Sequence, residues 1–132
     1  FYGELEPSGS FVYVNAGHDP ALLLRADGRT EQLRSTGIVM GPLADAKYRR
    51  ELVRMDPGDV LLLYTDGVVE RTRPLDDEEF GLERFEEVTR RALAGGAALA
   101  EIPGTILAEL RSFGEEQPWS DDVTVVLIRR NS

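Results

Sequence analysis

No cysteine occurs anywhere in the chain. Disulfides, thiolate metal sites and a cysteine nucleophile are thereby excluded, and the composition suits a reducing compartment. No apolar run approaches the roughly 18–20 residues that a membrane-spanning helix needs. No basic stretch followed by an apolar one marks a signal peptide. Basic residues are in deficit: Lys and Arg total 15 against 24 Asp and Glu, for a net charge of -9. Such a chain repels nucleic-acid phosphates and anionic membrane surfaces. No nucleic-acid or membrane partner is expected, and a cytoplasmic location is. Histidine occurs once. No Ser-His-Asp ordering, P-loop or dinucleotide glycine motif is present.

What is there fits one domain of 132 residues, large enough to bury a core without staples. The first third alternates in strand fashion. Residues 1–6 and 11–15 predict a hairpin around Pro7-Ser8-Gly9-Ser10. Residues 21–25 and 30–33 predict a second pair around Asp27-Gly28. Residues 48–55 alternate again, and the unbroken apolar run 60–64 predicts a strand buried on both faces. Phe80, Leu82, Phe85, Val88 and Leu93 recur at helical spacing, stopped by Gly95-Gly96. A second helix carries Leu99, Ile106, Leu107, Leu110 and Phe113, its start blurred by Pro103-Gly104. Residues 123–128 predict one more buried strand. Several strands, two helices and a strand make an α+β fold. The chain opens in mid-pattern at Phe1, and further residues upstream are expected.

Two acidic sites stand out. Asp66 ends the buried run 60–64, where the strand would fix its carboxylate and a loop would leave room for a ligand. Gly67 beside it permits a sharp turn or a close approach. Asp121 and Asp122 directly precede the last strand, and neighbouring carboxylates raise each other's proton affinity unless a cation intervenes. Hard cations such as Mg²⁺ or Mn²⁺ prefer oxygen ligands. Asp-Gly and Asp-Asp are also ordinary turn chemistry, so spacing alone leaves both readings open. The single histidine, His18, follows a glycine at a strand end, where a hydrogen-bonded structural role competes with a catalytic one. The run Asp76-Asp77-Glu78-Glu79 reads as a solvated cap at the positive end of the first helix.

Six segments in order resemble the SpoIIE/RsbU family of bacterial metal-dependent (PPM) phosphatases. They are Asn15-Ala16-Gly17-His18 in its strand context, Gly37 with Met40-Gly41, and the long run from Pro57-Gly58-Asp59 through Tyr64-Thr65-Asp66-Gly67 to Glu70. Phe80-Gly81-Leu82 and Asp121-Asp122-Val123-Thr124 complete the series. The resemblance implies a β-sandwich of two mostly antiparallel sheets flanked by helices. It implies two Mn²⁺ or Mg²⁺ ions that activate a water against a phosphoserine or phosphothreonine. Asp66 and Asp121 match its metal-ligand positions; Gly67, Asp122 and His18 are supporting candidates. The expected substrate is a phosphorylated anti-sigma-factor antagonist of STAS type, with a sensor or regulatory domain upstream.

The family's Gly-Asp-Val-Ser-Gly-like segment, whose Asp bridges the metals, has no match here. Residues 1–132 are therefore expected to be the C-terminal portion of one such domain. The rival reading is a degenerate or truncated phosphatase-like module acting in protein–protein regulation. A divalent-metal-binding domain of another class is a third.

Overall fold

The computed structural model describes all of residues 1–132. In chain order it contains β1 (Tyr2–Leu5), β2 (Ser10–Val14), β3 (Ala21–Leu24), β4 (Thr30–Leu33), β5 (Glu51–Arg54) and β6 (Val60–Tyr64). There follow α1 (Asp66–Val69), α2 (Gly81–Ala94), α3 (Ile102–Phe113) and β7 (Val125–Arg129). One sheet has the order β1-β2-β5 and the other β4-β3-β6-β7. The pairs β1–β2, β2–β5, β3–β4 and β3–β6 are antiparallel. The expected two-sheet α+β fold is the one formed. By its internal contacts the chain divides into two compact units, residues 1–63 with 128–132, and residues 64–127.

In the first unit, side-chain alternation does the sorting. β2 buries Phe11 and Tyr13 and leaves Val12 and Val14 half-buried. β3 is buried along its whole length, as its apolar run requires. Phe11, Tyr13, Ala21, Leu23, Leu33, Met55 and Leu61 form one core drawing on both sheets, with Phe1, Val53 and Leu63 packed against it. Each fully buried large apolar side chain in it is worth about 1.5–3 kcal/mol. Phe1 stacks on Tyr13 with ring centroids 5.6 Å apart.

One buried carboxylate fastens this unit. Asp59 is 2% exposed. Its Oδ1 accepts the Ala26 N–H at 2.9 Å, and its Oδ2 accepts the Asp56 N–H at 2.9 Å and the Arg25 guanidinium at 2.7 Å. Burial alone would raise the Asp59 carboxyl, but the two backbone donors and Arg25 outweigh it and hold its pKa below the ordinary value. Arg25 also reaches Glu31 at 2.8 Å. The β3–β4 hairpin and the turn before β6 are thus tied by one acid.

The second unit is mainly helical. α2 buries Phe85, Val88 and Thr89, and α3 buries Ile102, Ile106 and Leu110. Tyr64 meets Phe85 edge-on at 4.9 Å, and Phe80 meets Phe113 at 5.3 Å. The uncertain start of the second helix resolves into a 3₁₀ turn, Leu99–Glu101, followed by α3 with Pro103 in its first positions. Proline is tolerated there because those N–H groups have no intrahelical acceptor.

Three local expectations are corrected. The strand expected over 48–55 shrinks to Glu51–Arg54. The last strand begins at Val125 and alternates between half-buried and exposed residues, so it is not buried throughout. The acidic run before α2 does not cap it: Asp76 and Glu78 pair with Arg73, and Glu78 also pairs with Arg84. Two nearby guanidinium groups outcompete a helix end that offers only partial charge.

Candidate metal centre

The acids singled out at positions 66, 121 and 122 all belong to the second unit. Tyr64, 4% exposed, anchors the end of β6. Thr65 is extended, with φ -93° and ψ 158°, and caps α1. Its hydroxyl donates to the Asp122 carbonyl at 2.8 Å and accepts the Thr124 N–H at 2.9 Å. Its own N–H donates to the Thr124 carbonyl at 3.1 Å. Residue 65 is therefore stitched to residues 122–124 by three hydrogen bonds.

Asp66 was expected in a loop. It opens the single helical turn of α1 instead, exposed, with Oδ1 accepting the Gly67 N–H at 2.8 Å. Gly67 is buried, and its φ is not positive. Its need for glycine is steric: a Cβ there would stand 2.5 Å from the Asp122 carbonyl oxygen and 3.4 Å from the Asp121 Cβ. Asp121 is exposed, and its Oδ1 accepts the Asp122 N–H at 2.6 Å. The segments 65–67 and 121–124 are in direct contact.

No Lys, Arg or His forms an ion pair with Asp66, Asp121 or Asp122. Unpaired carboxylates on touching segments suit a hard divalent cation. Mg²⁺ is commonly held by one or two carboxylates, with water and phosphate oxygens completing its shell. No three His, Asp or Glu side chains converge into a metal-holding group. Asp66 and Asp121 stand on touching segments, and the chain forms no all-protein cage of three or more such ligands.

His18 lies in the first unit. It is half-buried, its N–H donating to Asn15 Oδ1 at 2.8 Å and its Nδ1 2.8 Å from the Asp19 carbonyl oxygen. Its ring meets Phe1 edge-on at 6.5 Å. Asn15, read from the sequence only as part of the Asn15-Ala16-Gly17-His18 segment and given no role of its own, is fully buried and bonds the Leu33 carbonyl at 3.2 Å as well as His18. A polar residue closing an apolar strand, two residues before a glycine, was the available signal.

The sequence profile of the family described as Stage II sporulation protein E (SpoIIE) matches residues 1–131. The chain belongs to the SpoIIE family. This SpoIIE-family chain is 33% identical over 132 residues to Protein IcfG of Synechocystis sp. (strain PCC 6803), covering 99% of the chain and 20% of that protein. It is 33% identical over 124 residues to phosphoserine phosphatase RsbU of Bacillus subtilis, covering 91% of the chain and 35% of RsbU. Its fold matches the crystal structure of the RsbU and RsbW domains of a Mycobacterium tuberculosis protein. That match has TM-score 0.75 and 30% identity, over 98% of this chain and 35% of that one. The SiaA PP2C domain of Pseudomonas aeruginosa shares the fold, with TM-score 0.73 and 24% identity over 94% of this chain and 48% of that one. The SpoIIE-family chain spans about a fifth to a third of the length of these curated relatives. Family and sequence relate it to RsbU, and its fold is the one that the SiaA PP2C domain also has.

Proposed function

We propose that residues 1–132 are the C-terminal portion of a metal-dependent protein-serine/threonine phosphatase domain. The observation that carries this reading is the contact between the Asp66-Gly67 turn and the Asp121-Asp122 segment. Asp66 and Asp121 hold the cation. Each has one oxygen engaged by the next residue's N–H, which fixes the carboxylate's orientation. Asp122 supports through its carbonyl, which Thr65 holds. His18 acts only in shaping the turn after β2. Bound Mn²⁺ or Mg²⁺ would supply Lewis-acid chemistry, lowering the pKa of a water and offsetting phosphoryl charge.

The substrate class is a phosphoserine or phosphothreonine on a regulatory protein, such as a STAS-type anti-sigma-factor antagonist. RsbU, similar to this chain, is named a phosphoserine phosphatase. A sensor or regulatory domain elsewhere in the natural protein belongs to the same proposal, as does a cytoplasmic location. No helix is long and apolar enough to cross a membrane.

A second reading is favoured by one observation, the lack of three converging ligands within the chain. On that reading the chain is a non-catalytic phosphatase-like module that acts by binding proteins.

The test uses the natural protein carrying these residues. Hydrolysis of a phosphoserine protein should require Mn²⁺ or Mg²⁺ and stop on chelation. Asp66→Asn and Asp121→Asn should each cut turnover by about 100-fold or more, because Asn keeps the size and loses the charge that holds the cation. Circular dichroism should stay native. Turnover that survives both changes would overturn the site. No turnover, with calorimetry detecting no Mn²⁺ binding, would favour the non-catalytic reading.

A further inference from the structure

Arg71 is the buried cation that the site above leaves unused. It is 4% exposed and pairs with no carboxylate. A guanidinium withdrawn from water without an anion is costly unless its donors are satisfied. Its donors go to one loop: to the Gln117 carbonyl at 2.6 Å, the Pro118 carbonyl at 2.7 Å and the Gly114 carbonyl at 3.4 Å. The Nε–H has no acceptor. Gly114 packs flat against the guanidinium, since a Cβ there would fall 2.1 Å from Nε. The Trp119 ring covers it, 4.8 Å from Cζ to the ring centroid.

The loop so held is strained. Glu115 and Glu116 both have left-handed backbones, at φ 49° and 58°. Residues with side chains avoid that region, and two in succession persist only where the surroundings dictate them. Turning the carbonyls of this loop inward toward one planar cation supplies that dictation. Lysine, a point charge, could not bridge three carbonyls in the same way.

The loop leads straight into Asp121. Residues 122–124 are fastened to Thr65 and Gly67, and residues 114–119 are fastened to Arg71. Both fastenings come from one short stretch, residues 65–71, which also carries Asp66. Ser120 and Asp121 hang between two anchors referenced to the same stretch.

We propose that Arg71 is a positioning residue, the hub that sets where Asp121 stands relative to Asp66 for cation binding. This rests on the metal-dependent phosphatase reading.

The experiment uses the natural protein and four variants, Arg71→Lys, Trp119→Leu, Trp119→Phe and Asp121→Asn. Mn²⁺ affinity is measured by calorimetry and amide hydrogen exchange by mass spectrometry. In the wild type, Trp119 emission, isolated by subtracting a Trp119→Phe protein, should change with the same Mn²⁺ midpoint as calorimetry. Arg71→Lys should move that midpoint about 10-fold higher, the usual scale for losing a group that orients a ligand. It should also speed exchange at residues 114–119 even without metal. Trp119→Leu, at a partly exposed position, keeps the test alive should Arg71→Lys fail to fold. It should weaken Mn²⁺ binding in the same direction by a smaller factor. Wild-type Mn²⁺ affinity and wild-type exchange in the folded Arg71 and Trp119 variants would overturn the proposal while Asp121→Asn still loses metal. Wild-type affinity in Asp121→Asn would overturn the metal reading and this proposal together.

Discussion

The Thr65 hydroxyl and the Asp122 carbonyl are joined at 2.8 Å, and the same hydroxyl accepts the Thr124 N–H. One oxygen thus closes two backbone groups on the far side of the candidate site.

Thr65→Val keeps the shape and removes both bonds. It should lower stability by about 1–3 kcal/mol, the cost of leaving such groups without partners. Thr65→Ser should recover most of that loss. Urea unfolding followed by circular dichroism measures both, and equal stability of the Val and Thr proteins would contradict the stitch.

Gly67→Ala should be costly for a reason of space. Its Cβ would lie 2.5 Å from the Asp122 oxygen, and backbone must move to admit it. Overpacking of this kind costs about 1–3 kcal/mol. Gly104, inside α3 with open space where a Cβ would stand, is the control. There alanine should stabilise by about 0.5–1 kcal/mol, since it restricts the unfolded chain and favours helix. The comparison fails if the two substitutions have the same sign in thermal melts.

Asp59 should shape the acid limb of stability. Its pKa in the folded state lies below the ordinary value. The stability it contributes is therefore fully present above about pH 4, where an unfolded aspartate is ionised. It is lost as pH falls through the lower, folded-state value. Asp59→Asn should flatten that limb. Near neutral pH it should cost about 1–3 kcal/mol, because it removes one of the two carboxylate partners of half-buried Arg25 and an acceptor of two backbone donors. Unfolding free energies across pH 2–7 would show it; an unchanged acid slope would remove Asp59 from the account.

Asn15→Leu should destabilise by about 1–3 kcal/mol, since the Leu33 carbonyl and the His18 N–H would each lose a buried partner. His18→Gln should be nearly silent by comparison. Paired chemical-denaturation curves decide, and a larger loss at position 18 than at 15 would reverse the assignment.

Much of the sheet architecture was readable because alternation and unbroken apolar runs report which faces are buried. The run 60–64 announced its burial outright, whereas 21–25 was legible as a strand and its burial along the whole length came only with the fold. Residues 48–50 misled: alternation there continued beyond the paired strand Glu51–Arg54, and pairing, not pattern, sets a strand's ends. At the site, Asp66 and Asp121 were legible as acids beside apolar strands. Thr65 and Arg71 were not. A threonine that stitches backbone across 57 residues, or an arginine that binds carbonyls 43 to 47 residues away, leaves no local periodic trace. Gly67 was expected to matter for its backbone freedom or a close contact, and only the folded chain shows that the contact is the reason.

The edge strand β1 carries a different consequence. It pairs only with β2, and all four of its residues are exposed. It contributes ladder bonds and almost no buried side chain. Substitution should be widely tolerated along it, and its amides should be among the earliest to open in native-state exchange. Its outer backbone groups form a row to which another extended segment can add. Gly3 is the exception to that tolerance, since a Cβ there would run into the Phe11 ring at 2.4 Å.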